Sequence, residues 1–180
     1  TDEPHFSAMQ IPGLEQNVIL IDSVSKRYNL CGARIGCIVS HNKDVMAAAM
    51  KFAQARLCPP VIGQYAAIGA LDTPNEYFEA VREEYIKRRD YMIEGLNKIE
   101  GVFTPLPMGA FYTIAELPVD DTENFARWML ENFRIDNETT MVTPAASFYK
   151  TPGMGKNHAR IAYVLEVDEM KKALRILEEG

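Results

Sequence analysis

The sequence predicts an α/β fold in two parts, with a change of rhythm near residue 73. Short apolar runs rich in β-branched residues alternate with amphipathic helical stretches. One long, well-capped helix separates an earlier strand–helix–helix segment from a later strand–helix–strand–helix segment. With 180 residues, 47% of them hydrophobic and 24% charged, the chain has the balance of a soluble globular protein and enough length to bury a core.

The elements follow in order. Residues 17–23, "NVILIDS", form a continuous apolar run and predict a strand buried on both faces, as in a parallel sheet. Residues 34–40, "RIGCIVS", predict a second, and Asn29 and Gly32 between them suit turns. "KDVMAAAMKFAQA" reads as a helix with Val45, Ala48, Ala49 and Phe52 on one face, and "CPP" at residues 58–60 breaks it. "VIGQYAAIGAL" resumes as a helix. The long helix then starts with Thr73 as cap, Pro74 in the first turn and Glu76 completing a capping box. Phe78, Val81, Tyr85, Met92, Leu96 and Ile99 make its apolar face, Glu83 with Lys87 and Glu84 with Arg88 support the other, and Gly101 ends it. Beyond it, "VFTPLP" reads as a short edge piece and "AFYTIAELP" as a strand. "DTENFARWMLENF" predicts a helix with Phe125, Trp128, Met129 and Phe133 inside. "TTMVTP" and "ARIAYVL" predict strands, and "DEMKKALRILEEG" a closing helix with acids early and bases later.

Composition narrows the function. A net charge of −6 and the lack of a basic cluster with interleaved aromatics argue against nucleic-acid binding. No apolar run approaches membrane-spanning length, and no secretory leader pattern opens the sequence. Cys31, Cys37 and Cys58 have no metal-ligand spacing and cannot all pair with one another, so reduced thiols in a cytoplasmic protein are expected and no metal site is. His5, His41 and His158 are scattered and receive no catalytic role. The opening "TDEPHF" has no methionine and the chain reaches a strand-like run after only sixteen residues, as expected of a processed chain or a piece of a longer one.

The stretch "SVSKRYNLCGARIG", residues 23–36, carries the chemistry. A strand end delivers Ser23 and Ser25, and Lys26 follows at once. Ligands of open α/β sheets bind at the carboxyl ends of strands. Arg34 opens the next strand, so the loop can fold it back towards the serines. Two hydroxyls and a guanidinium suit a phosphate. A lysine beside a phosphate site points to a phosphorylated aldehyde cofactor, pyridoxal 5'-phosphate, which a lysine amine can hold as an imine. A lone strand-end lysine is ordinarily a solvated surface residue. The combination S-x-S-K followed by G-x-R-x-G is far more specific than either half.

That stretch resembles the lysine signature of the fold-type I, class I/II aminotransferases, the aspartate aminotransferase superfamily. The resemblance continues through "CPPVIGQYAA", "TPNEYF", "PMGAFYTIAELP" and "ARIAYV", in order, and covers nearly the whole chain while matching only the later part of the family's chain. It implies that residues 1–72 are a remnant of the large cofactor-binding domain, and that residues 73–180 hold the interdomain helix and the complete small C-terminal α/β domain. It further implies Lys26 as the Schiff-base lysine and proton carrier, Ser23, Ser25 and Arg34 as phosphate ligands, and Arg160 as the partner of the substrate α-carboxylate. A strand-edge salt bridge is the competing role for Arg160. Phe111 and Tyr112 are expected in the small-domain core. Arg56 is a candidate for a substrate side-chain carboxylate, against a plain surface role.

One departure is "PAASFY", where the family commonly has Pro-Gly before a Phe-Gly pair. The family's ring-stacking aromatic, pyridinium carboxylate and glycine-rich phosphate loop precede the lysine strand and have no place in residues 1–16. The chain by itself is therefore expected to be inactive. The implied activity of its full-length parent, a homodimer, is transfer of an amino group from an amino acid, aspartate by preference, to a 2-oxo acid. A cofactor-binding regulator domain and a lyase or acyl-transferring relative of the same fold are the alternatives.

Overall fold

The computed structural model describes residues 4–180. The chain divides into two compact units, Thr1–Tyr77 and Phe78–Gly180, with the boundary inside a long helix.

In the first unit, β1 (Leu20–Ser23) runs into a single helical turn, α1 (Val24–Arg27), and the chain returns as β2 (Gly36–Val39). The two strands pair antiparallel, with Leu20 opposite Val39 and Ser23 opposite Gly36. This corrects the parallel arrangement expected from the apolar runs. A parallel partner needs a crossover of a dozen or more residues that carries the chain back along the sheet. Here Asn29 (φ 54°) and Arg34 (φ 57°) take left-handed conformations and turn the chain straight back. Gly36 allows the close approach, because a Cβ there would lie 2.9 Å from the Asp22 carbonyl oxygen. Ile21, Ile38 and Val39 are exposed, since a two-stranded ribbon covers neither of its own faces.

Two helices complete this unit. Asn42 caps α2 (Lys43–Arg56), its Oδ1 accepting from the Asp44 and Val45 N–H groups at 3.1 Å each. Phe52, expected on a packed face, is exposed. After the "CPP" break, α3 (Val61–Ala70) packs Gly63 so tightly on the Ala33 carbonyl that a Cβ would collide with it. Among the described residues of this unit, Gly63 and Ala70 are the buried ones.

The second unit is built on α4 (Asn75–Leu96), whose first residues lie in the first unit. Met92, Ile93 and Leu96 are buried, and Glu84 and Arg88 form the expected i,i+4 pair at 2.7 Å. The helix stops at Leu96, short of Gly101: the Lys98 and Ile99 N–H groups tighten onto Gly95 and Leu96 three residues back, and the Asn97 side chain clamps Thr104, donating to its carbonyl at 3.0 Å and accepting its N–H at 2.9 Å. Turns then lead to Gly101, at φ 78°.

A three-stranded antiparallel sheet follows in the order β3 (Tyr112–Glu116), β5 (His158–Ala162), β4 (Thr143–Pro144). β4 is only two residues long, shorter than "TTMVTP" suggests, since Pro144 has no N–H for a ladder and suits an edge. Thr113, Ala115, Ala159 and Ile161 form the buried face. Helices α4, α5 (Thr122–Glu131) and α6 (Val167–Glu179) supply Met92, Leu96, Ala126, Met170 and Leu177 to the same core. Trp128 departs from its expected interior position. It is 40% exposed and lies on the outer face of α5, stacked on Phe133 with ring centroids 5.0 Å apart, while Met129 and Ala126 take the inner positions.

Candidate active site

The hairpin end of the first unit gathers four of the predicted residues. Ser23 caps α1, its Oγ accepting the Ser25 N–H at 3.3 Å. The Val24 N–H donates to the Ile35 carbonyl at 3.2 Å, which carries the pairing one step beyond the strands. Ser25 and Arg34 therefore lie at the same end of the hairpin, and Lys26 sits between them in sequence on the exposed side of α1. Arg34 leaves the loop in a left-handed conformation, and its guanidinium donates to the Cys31 carbonyl at 3.0 Å. Asp22, the nearest carboxylate in sequence, is taken up locally. It pairs with Arg27 at 2.5 Å and accepts the Ser23 N–H at 2.7 Å.

This donor set fits one side of a phosphorylated aldehyde. Two hydroxyls and two cations at one hairpin end suit a phosphate and a carbonyl carbon. With Asp22 engaged by Arg27, the hairpin end keeps no carboxylate among the described residues for a pyridine nitrogen. Arg56 closes α2 and is exposed. The next residue, Leu57, holds φ 69° and ψ 179°, a conformation that side-chain-bearing residues seldom adopt.

The second unit places Arg160 at the centre of the open sheet face. It lies opposite Ile114 on β3 and Thr143 on β4. Strand alternation puts Tyr112, Ile114, His158, Arg160 and Ala162 on this face, away from the core. Arg160 is exposed and its guanidinium makes no hydrogen bond or ion pair with any described residue, so the strand-edge salt bridge is not formed. Its Cζ lies 5.4 Å from the Tyr112 ring centroid and 5.1 Å from that of Phe148.

Sequence reasoning missed both rings. Phe111 packs against the core as expected, whereas Tyr112 is 41% exposed and points to the open face. The register supplies the missing signal: with Ile114 opposite Arg160, Tyr112 becomes its diagonal cross-strand neighbour. Phe148 belongs to the "PAASFY" departure. Ala145 is buried there and donates its N–H to the His158 carbonyl at 2.9 Å, and a 3-10 turn (Ala146–Phe148) follows. Tyr149 then bonds His158 Nδ1 through its hydroxyl at 2.8 Å, and its ring occupies the space a Cβ on Gly155 would need.

Among the described residues, no helix is long and apolar enough to cross a membrane. An aspartate aminotransferase of Rhizobium meliloti is 29% identical over 175 residues, covering 91% of this chain and 40% of the relative. An LL-diaminopimelate aminotransferase of Natranaerobius thermophilus is 31% identical over 172 residues, covering 93% and 42% respectively. The crystal structure of the Rhizobium meliloti aspartate aminotransferase superposes with a TM-score of 0.82 at 29% identity, covering 99% of this chain and 46% of that one. The chain thus spans about two fifths of the length of the curated relatives it matches. The family model described as aminotransferase class I and II matches residues 3–177, and the chain belongs to that family.

Proposed function

We propose that the protein carrying this chain is a pyridoxal phosphate-dependent aminotransferase, moving an amino group from an amino acid, aspartate by preference, to a 2-oxo acid. The observation that carries this reading is the hairpin end, where Ser23, Ser25, Lys26 and Arg34 come together within a chain of the aminotransferase family. The cofactor supplies an electron sink for the substrate's α-carbon. Ser23, Ser25 and Arg34 hold its phosphate. Lys26 Nζ would hold its aldehyde carbon covalently and, once displaced there by the donor's amine, would move the proton from the substrate Cα to that carbon. Arg160 receives the α-carboxylate through its guanidinium edge. Arg56 is assigned a second carboxylate, that of an acidic donor. The assembly is read as a cytoplasmic homodimer.

Borohydride reduction of the holo-protein followed by peptide mapping tests the assignment of Lys26. The pyridoxyl group is expected on the peptide containing Lys26, and its recovery on another lysine overturns the assignment. Lys26→Ala is expected to abolish turnover. Steady-state assays across amino donors test the preference for aspartate, which a clear advantage for aromatic or branched donors refutes.

A further inference from the structure

We infer that Tyr112 and Phe148 are positioning residues for Arg160, holding its guanidinium edge-out as a receptor for a substrate carboxylate. The inference rests on the reading of Arg160 as the carboxylate partner, and deepens it by saying how an exposed arginine is kept ready.

The geometry comes from the strand order. β5 lies between β3 and β4. Tyr112 reaches Arg160 from β3, and Phe148 reaches it from the turn that follows β4. The two rings therefore approach from the two sides of β5. A ring attracts a guanidinium over its π-face and leaves the in-plane N–H groups unused. Those donors meet no carbonyl or carboxylate among the described residues. Arg88 gives the contrast. It lies 5.9 Å from the Tyr85 ring centroid, yet its donors are engaged by Glu84 at 2.7 Å and the Val164 carbonyl at 2.6 Å, so it serves the structure. Arg160 has the ring contacts without the polar partners. A flat cation with an unpartnered fork suits a bidentate carboxylate.

The energetic consequence is preorganisation. An arginine on an open sheet face samples many rotamers, and apparent affinity falls with the fraction in the receptive one. Each exposed ring contact favours that rotamer by about 2- to 5-fold. Removing one ring should weaken carboxylate binding by about that factor, and removing both by about 4- to 25-fold.

The test uses the holo-protein with propanoate as probe and propanamide as the neutral control, following saturation transfer to the probe by NMR, together with KM and kcat for the amino donor. Arg160→Gln is expected to abolish the preference for propanoate. Phe148→Leu and Tyr112→Leu are each expected to raise the propanoate Kd and the donor KM about 2- to 5-fold, with kcat changing less. Tyr112→Phe and Phe148→Tyr, which keep the rings, are expected to stay within about twofold of the parent. Both rings are partly exposed, at 41% and 51%, so truncation leaves the core intact, and circular dichroism checks the fold of each variant. Loss of binding in Arg160→Gln with parental values in both leucine variants overturns the positioning role and leaves the carboxylate reading standing. Parental propanoate binding in Arg160→Gln overturns the carboxylate reading, and the positioning role with it.

Discussion

Thr104 and Thr113 lie behind the sheet that carries Arg160, 2% and 4% exposed, with their hydroxyl oxygens 2.6 Å apart. Each hydroxyl has a single proton to donate. Thr104 Oγ1 also lies 3.1 Å from the Ile114 carbonyl, which can only accept. The Thr104 proton therefore goes to Ile114, and Thr113 must be the donor to Thr104. Thr104→Val, nearly isosteric, removes both bonds and strands a buried donor on Thr113. A lost bond costs about 0.5–1.5 kcal/mol, and an unsatisfied buried donor about 1–3 kcal/mol, so a loss of about 2–3 kcal/mol is expected. Thr113→Val leaves the Thr104 bond to Ile114 in place and removes only one acceptance, for about 1 kcal/mol. In the double variant no stranded hydroxyl remains, so it should be no less stable than Thr104→Val alone, a coupling of about 1–2 kcal/mol. Urea unfolding followed through Trp128, the sole tryptophan and a residue of the second unit, measures all four corners of the cycle. Additive losses, or a larger loss in Thr113→Val than in Thr104→Val, would refute the assigned direction of the hydrogen bond.

Three further outcomes are expected. Leu57→Gly should raise stability by about 1 kcal/mol in thermal unfolding, because backbone strain of about 1–3 kcal/mol is relieved at φ 69° against the greater chain entropy of glycine, while Leu57 is 76% exposed and loses little burial; a lower Tm refutes it. Gly101→Ala should cost about 1–3 kcal/mol, since a Cβ at φ 78° would also lie 2.8 Å from Pro118 Cβ, and an unchanged urea midpoint refutes it. Burial holds the Tyr163 phenol above its ordinary pKa. The folded state keeps that proton when the unfolded chain releases it, so this contribution is intact below about pH 10 and is lost as pH rises through the higher folded value. Urea midpoints should show that alkaline loss in the parent and lack it in Tyr163→Phe.

Legibility in the sequence followed the kind of signal. The long helix was readable because caps, apolar spacing and charge pairs agree over many residues, and Met92 and Leu96 lie buried where the period places them. Its end was less readable, because the Asn97 clamp on Thr104 depends on a loop seven residues on. The hairpin was misread as parallel because a continuous apolar run has the same appearance in either pairing. The turn back is decided by Asn29 and Arg34 at positive φ, and an arginine gives little warning of that conformation. Trp128 was placed inside on hydrophobicity alone, whereas α5 turns Ala126 and Met129 inward. At the candidate site, the motif spacing put Ser23, Ser25, Lys26 and Arg34 on one strand–loop–strand segment, and their gathering at one end follows from the register. Arg160 came into view through family resemblance. Its aromatic neighbours lie 48 and 12 residues before it in sequence, and only strand order brings them together.

The placement of Arg160 also explains why an exposed side chain can serve as a defined receptor. Ordering an arginine costs about 2 kcal/mol of rotamer entropy, and a mobile backbone would add to that. Its chain neighbours, Ala159 and Ile161, both point into the core, at 0% and 8% exposure, and β5 is paired on both edges around it. The Arg160 Cα is therefore fixed by the same packing that stabilises the unit. What remains free is the side chain, and Tyr112 and Phe148 act on that remainder. Alternation along one strand thus couples core and receptor: a change that loosens Ala159 or Ile161 should weaken carboxylate binding without touching the guanidinium. Ile161→Val, which removes one buried methylene and costs about 0.5–1.5 kcal/mol, is the mildest such change. If that variant loses stability while its propanoate affinity stays parental, the strand is stiffer than this coupling requires, and the rings alone set the readiness of Arg160.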